Sequence, residues 1–343
     1  MSSSGANVPG RDVRHSRVRL ALVYIFAAAC LVWVFHDVHP RQLLAAMSIA
    51  HWWFVALAII IDILTYVLQG IRWKLLLTPV GRLSSLRATQ GIYAGLFANE
   101  LFPLRVGELV RAFLVSGWLS ARITMVLPSM AVERFLDALW LAAGIGVATI
   151  FLPLPETLIK ASDVLGGIVL LATALFLSMV FRREQKAERG RHGFPPPILR
   201  RFSHFASEFA GGIREIGASC RLYLAALLSA GMLACQALAL WFMLVACGIE
   251  LPLWAGAVVL MVIRLGTAIP NAPANLGSFQ LFSVLALNLL FGVEKTVAAG
   301  FSISCFLALT IPLWIIGLLA ISRTGMTLAK IRLGAANTSN LRN

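Results

Sequence analysis

Apolar residues run through this chain in blocks about as long as a bilayer is thick, and polar residues collect between them. Six blocks are continuous: 19–35, 52–70, 124–151, 163–181, 222–247 and 297–321. Two more, 88–118 and 253–292, are broken near the middle by NELFPLRVGE and IPNAPANLG. Each half of a broken block is about 14–16 residues, too short to cross hydrocarbon comfortably. The pattern predicts an all-α polytopic membrane protein with about six spanning helices and two broken or re-entrant helical hairpins. The order span, span, broken hairpin, span occurs twice. The first repeat covers 18–152 and the second 163–322, and if the first starts inside and the second outside they are inverted copies, an architecture of transporters.

Charge orients this map. Arg11, Arg14, Arg17, Arg19, Arg72, Lys74, Arg82, Arg87 and Arg122 all fall on one side if the N-terminal tail, 1–17, is cytoplasmic and each broken block returns to the side it entered from. The dense set from Arg182 to Arg221 and the C-terminal tail, 323–343, join them, leaving Arg41, Lys160 and Lys295 outside. That is the asymmetry of the positive-inside rule. Doubly spanning hairpins would sort the charges identically; half-length favours re-entry. The second repeat is interrupted after its first helix by a basic loop, 182–220. There Ile198, Phe202, Phe205, Phe209, Ile213 and Ile216 recur in steps of three and four, which predicts an amphipathic helix over 198–217.

Composition agrees. Of 343 residues 59% are hydrophobic and 13% charged, roughly half the charged fraction of a soluble protein, and the mean hydropathy is +0.85. The net charge of +14 belongs to basic loops beside anionic lipid rather than to nucleic-acid binding. The five cysteines, Cys30, Cys220, Cys235, Cys247 and Cys305, read as small buried hydrophobes without a disulfide framework. His36, Asp37 and His39 read as a wet turn rather than a metal site. No metal or cofactor is expected, and no GxxxxGK[ST] nucleotide loop occurs.

The chemistry lies in charges placed where lipid should be. Backbone irregularity around Pro103 and Gly107 must line protein or a wet cavity, which carries Arg105, Glu108 and Arg111 to the tip of the first hairpin. Glu133, Arg134 and Asp137 sit about 11 residues into the 124–151 span; Glu133 and Asp137 share a face, and Arg134 can pair with Asp137. Asp62 lies mid-span in 52–70 and needs a partner. Arg264 is roughly 16 Å down the second hairpin at 1.5 Å per residue. Two arginines and two inward-pointing helix ends suit an anionic group, most simply a phosphate, and the apolar flanks suit a lipid tail. The candidate substrate-facing set is Asn99, Arg105, Glu108, Arg111, Glu133, Arg134, Asp137, Arg264, Asn271, Asn275, Ser278 and Gln280. An internal salt-bridge network that only locks helices is the competing reading of Glu133, Arg134 and Asp137.

IRWKLLL (71–77), GLFANELFPLRVGELVRAFLV (95–115), AVERFLDAL (131–139) and IPNAPANLGSFQ (269–280) together resemble the lysylphosphatidylglycerol synthase transmembrane-region, or flippase-like, family, over about residues 18–325. The resemblance implies a lipid substrate, movement between leaflets, and a bacterial inner membrane. It implies membrane lipids with anionic headgroups as partners, together with lipid-biosynthesis enzymes. The soluble aminoacyl-transferase domain of the full synthases is not found in the chain, so lysyl-lipid synthesis is not expected. Many members carry an acid where this chain has Gln280. The resulting expectation is a translocator of an anionic or phosphate-bearing lipid: a phospholipid, a hopanoid-type lipid or a polyprenyl-linked one. The alternatives are an intramembrane enzyme, such as a polyprenyl-dependent glycosyltransferase or lipid phosphatase using Glu133 and Asp137, and a scaffold for lipid synthesis.

Overall fold

A computed structural model describes residues 10–47, 50–102, 106–151, 156–181, 197–217, 219–268 and 272–324. These residues form twelve α-helices and no strand. In chain order they are α1 (Gly10–Phe35), α2 (Pro40–Ala46), α3 (Trp52–Leu76), α4 (Ser85–Leu101), α5 (Gly107–Leu119) and α6 (Ile123–Phe151), then α7 (Glu156–Phe181), α8 (Pro197–Gly217), α9 (Arg221–Ala246), α10 (Leu253–Gly266), α11 (Ser278–Leu285) and α12 (Lys295–Ser322). The chain is thus an all-α, multi-pass membrane protein. Helices α3, α9 and α12, and the segment Pro273–Leu290 that contains α11, are each long and apolar enough to cross a bilayer. Helix α6 has the length, 29 residues, but interrupts its apolar run with Glu133, Arg134 and Asp137.

Helices α3 and α9 form the central packing unit. Ala50 N, at the start of α3, donates to Ala246 O at the end of α9 (2.8 Å), while Arg72 near the far end of α3 reaches Ser229 near the start of α9. The two helices therefore run antiparallel. Since α3 is followed by a broken hairpin and α6, and α9 by a broken hairpin and α12, equivalent helices of the two halves point in opposite directions.

Both breaks lie where the sequence put them. The first hairpin is α4 and α5. Gly95 and Gly107 cross so closely that a Cβ on Gly107 would stand 1.8 Å from Gly95 O, which only a bare backbone permits. Asn99 Oδ1 accepts from Gly107 N at 2.7 Å and so caps α5. Helix α4 runs beside α12, with Gln90 Nε2 donating to Ala320 O (3.0 Å) and Trp314 Nε1 to Glu100 Oε2 (3.2 Å). It ends one residue past Glu100, while α12 has 19 residues, roughly 28 Å, still to run from Trp314 to Lys295. The first hairpin therefore turns back inside the span of α12.

The second hairpin is α10 and α11, joined through a short 3-10 turn, Pro273–Asn275, in which Ala274 and Asn275 take left-handed φ values of 59° and 53°. Gly277 has φ +86°, and a Cβ there would come within 2.5 Å of Ala27 O in α1. The Pro273–Asn275 turn packs against α4, so the two hairpins meet inside the protein. Helix α8 lies across α6 and α7, burying Ile213 and Ile216 with Leu76, Val132, Leu136 and Ala225. Glu208 on α8 is held by Arg122 Nη1 and Thr124 Oγ1, each at 3.2 Å.

The expectation of five buried cysteines needs correction: Cys220, in the turn before α9, is exposed, and Cys235 and Cys247 are only partly buried. Cys30 and Cys305 are buried.

Candidate functional site

Helix α6 carries Glu133, Arg134 and Asp137 on neighbouring turns, and three other helices bring partners to them. Arg72, from α3, is fully buried. Its Nη1 bonds Asp137 Oδ1 at 2.5 Å and Ser229 Oγ at 2.7 Å, and its Nη2 lies 3.0 Å from Glu133 Oε1. The same Glu133 oxygen accepts from Arg111 Nη1 of α5 at 3.0 Å and from Gln69 Nε2 of α3 at 2.8 Å. Arg111 also stacks over the Trp73 ring, 4.4 Å from its centroid, and Trp73 Nε1 donates to Ser129 Oγ. Around the rim, Arg134 Nη2 meets Glu108 Oε1 at 2.6 Å and its Nη1 meets Asp137 Oδ2 at 3.6 Å.

Three guanidiniums, from Arg72, Arg111 and Arg134, thus face three carboxylates, from Glu108, Glu133 and Asp137. Charge balances within the cluster. Glu133 and Arg72 have no exposed side-chain surface, so this part of the network is closed to solvent. Arg134, 47% exposed, and Glu108, 32% exposed, are its open edge.

Arg264 differs. It occupies the last turn of α10, where a cation is favoured by the carbonyl end of the helix. Its Nη2 donates to Gln236 Oε1 of α9, a neutral partner, and among the described residues no carboxylate lies within ion-pair distance. It lines a small cleft together with Asp137 and Trp140 of α6 and Ser229, Met232, Leu233 and Gln236 of α9, where polar and apolar residues alternate along the helix. Asp137 is the hinge of the arrangement, belonging both to the arginine cluster and to this cleft.

The remaining candidates have different work. Asn99 caps α5, so one of the N–H groups expected to be free at that helix start is already taken. Gln280 Oε1 accepts from Gly277 N at 2.8 Å, and Ser278 Oγ donates to Asn275 O at 2.9 Å; both side chains are buried and brace the second turn. Arg105 and Asn271 lie outside the described residues. The chemistry that sequence reasoning missed is on α3 and α9. Arg72, counted there among the cytoplasmic loop charges, is instead the hub of the cluster, and Gln69, Ser229 and Gln236 complete the polar shell. The signal for Arg72 was slight: it stands two residues past the apolar block 52–70, with Leu75, Leu76 and Leu77 still to follow. Ser229 and Gln236, lone polar residues in an apolar helix, gave little signal.

Residues 18–317 match the family described as lysylphosphatidylglycerol synthase TM region. A UPF0104 membrane protein of Methanothermobacter thermautotrophicus is 23% identical over 303 residues, covering 82% of this chain and 86% of the relative. Glycosyltransferase AglD of Haloferax volcanii is 28% identical over 141 residues, 41% of this chain; the match spans only 22% of that relative's length.

Proposed function

The chain belongs to the lysylphosphatidylglycerol synthase TM region family, and from that premise we propose that it moves a lipid with an anionic or phosphate-bearing headgroup between the leaflets of a bacterial inner membrane. The single observation that carries this reading is Arg264: a partly buried guanidinium, without a carboxylate at ion-pair distance among the described residues, at a cleft lined by both polar and apolar side chains. A phosphate supplies the missing charge through a charge-assisted hydrogen bond, and an acyl chain lies along Trp140, Met232 and Leu233. Arg105, on the opposing hairpin, is the second headgroup contact. Glu108 and Arg134 form the edge that opens and closes, since they are the exposed members of an otherwise buried network. The two inverted halves tilt about the α3–α9 contact to present the cleft to each leaflet in turn. Both termini lie in the cytoplasm.

The test is reconstitution. In vesicles containing the full chain and a headgroup-labelled anionic phospholipid, label in the inner leaflet should become accessible to an impermeant quencher faster than in empty vesicles. Arg264→Gln should slow this at least tenfold, the loss of one charge-assisted contact of roughly 1.5–3 kcal/mol. Equal rates with and without protein, for phospholipid and polyprenyl-phosphate probes alike, refute the reading.

The glycosyltransferase-named relative favours a second reading, a lipid-modifying enzyme. Its acid–base pair would be Glu133 and Asp137, yet the bonding oxygen of Glu133 is already shared by Arg72, Arg111 and Gln69 in a region without solvent. Radiolabelled polyprenyl phosphate recovered with an altered headgroup after incubation with the protein decides for the enzyme.

A further inference from the structure

The cleft beside Arg264 has two charged ends. Ser229, Met232, Leu233 and Gln236 form one stripe of α9 along it. At one end of the stripe, Ser229 Oγ and Asp137 Oδ1 share the Nη1 of Arg72, which places Asp137 beside Ser229. At the other end, Gln236 Oε1 holds Arg264. Gln236 follows Ser229 by two helical turns, roughly 10 Å along the axis. The cleft therefore runs from a guanidinium to a carboxylate, and no ion pair joins the two.

The positive charge this cleft offers is single. Arg72 of α3, Arg111 of α5 and Arg134 of α6 are cancelled by Glu133 and Asp137 of α6 and Glu108 of α5. Helix α9 brings no ionisable group to the lining, and α10 brings Arg264 itself. On α3, Asp62 and Tyr66 stand within electrostatic reach of Arg264 but do not line the cleft. A phosphodiester carries one negative charge, which Arg264 matches. A phosphomonoester carries up to two near neutrality. Its second charge would be enclosed without a cation, in a cleft whose far end already holds a carboxylate, and burying an unpaired charge is costly.

Resting on the translocator reading, we infer that the cleft selects lipid phosphodiesters over lipid phosphomonoesters, and that Asp137 sets this preference. Asp137 acts by cancelling Arg72. Without its charge the cluster would set three guanidiniums against two carboxylates, and the cleft would gain a second positive charge for a doubly ionised phosphate. With it, a phosphomonoester enters only after one phosphate oxygen takes up a proton from water, and that proton is released when the lipid leaves. The substrate class is thus a lipid whose phosphate is substituted on both sides, not one that ends in a bare phosphate.

The experiment measures binding of two probes to the purified full chain in detergent. Dihexanoyl phosphatidylmethanol and dihexanoyl phosphatidate differ only by a methyl group on the phosphate. The ratio of their dissociation constants is followed against pH, so a charge that affects both probes alike, that of Asp62 included, cancels. Wild type should bind the two about equally while the monoester is singly charged. Above its second ionisation the monoester should weaken up to tenfold for each pH unit, while the diester sets the reference. Asp137→Asn should hold the ratio near unity at every pH, and Asp137→Glu should restore the wild-type profile. A thermal unfolding midpoint within a few degrees of wild type establishes that the variants are folded; if Asp137→Asn does not fold, the wild-type profile decides alone. A wild-type ratio that stays flat with pH overturns the inference, as does a folded Asp137→Asn protein with the wild-type profile. If wild type binds neither probe and moves no labelled lipid in vesicles, the translocator reading fails and this inference falls with it. Both probes bound equally at high pH removes the inference alone.

Discussion

Glu133 and Arg134 are consecutive residues with opposite energetic roles. Glu133 is fully buried, and one of its oxygens serves two guanidiniums and an amide. Replacing it with Gln leaves Arg72 and Arg111 beside each other without their shared anion. Breaking a buried ion pair by removing one partner costs roughly 3–5 kcal/mol. Arg134 is 47% exposed, and its pairs with Glu108 and Asp137 are solvent-screened, worth about 1 kcal/mol or less. Glu133→Gln should therefore lower the unfolding midpoint in detergent far more than Arg134→Gln does. Comparable losses for the two would show that the buried core of the cluster contributes no more to stability than its exposed edge. Arg264→Gln belongs to a third class: with a neutral hydrogen-bond partner and no carboxylate at ion-pair distance among the described residues, its removal should spare stability and act on transport.

At the scale of elements, the hairpins depend on backbone contacts that tolerate no side chain. A Cβ on Gly107 meets Gly95 O at 1.8 Å, so Gly107→Val must push α4 and α5 apart. Asn99→Ala removes only the cap on Gly107 N, a loss of about 1 kcal/mol. The unfolding midpoint in detergent should fall sharply for Gly107→Val and slightly for Asn99→Ala; the reverse order would mean that the cap, not the crossing, holds the hairpin. The breaks themselves were legible in the sequence, because Pro and Gly inside a run too short to span leave few alternatives. Their supports were less so. Asn99, Ser278 and Gln280 read as ligands for substrate, since a polar residue in hydrocarbon invites a functional explanation; the fold uses all three to satisfy local backbone. Arg72 was misplaced for a complementary reason: charge counting assigns any arginine near a helix end to the loop, and only tertiary packing reveals that α3 carries it into the interior.

For the whole molecule, the antiparallel α3–α9 pair fixes which ends lie together. The end of α1 meets the start of α12 through Lys295 Nζ and Asp37 Oδ2 at 3.3 Å, with Lys295 also 4.8 Å from the Trp33 ring, and the start of α3 joins that face through Ala246. Arg122, which holds Glu208 of α8, and the exposed Cys220 stand just before helix starts on the opposite face: α3 ends there, and α9 begins there. The positive-inside rule, applied to the arginines of the sequence, predicts that the second face is the cytoplasmic one. The native Cys220 and a Lys295→Cys substitution report on the two faces in one experiment. The Lys295–Asp37 contact is exposed, so losing it costs little. In intact spheroplasts a membrane-impermeant maleimide should label Lys295→Cys, and Cys220 should react only after permeabilisation. The reverse pattern would invert the molecule in the membrane.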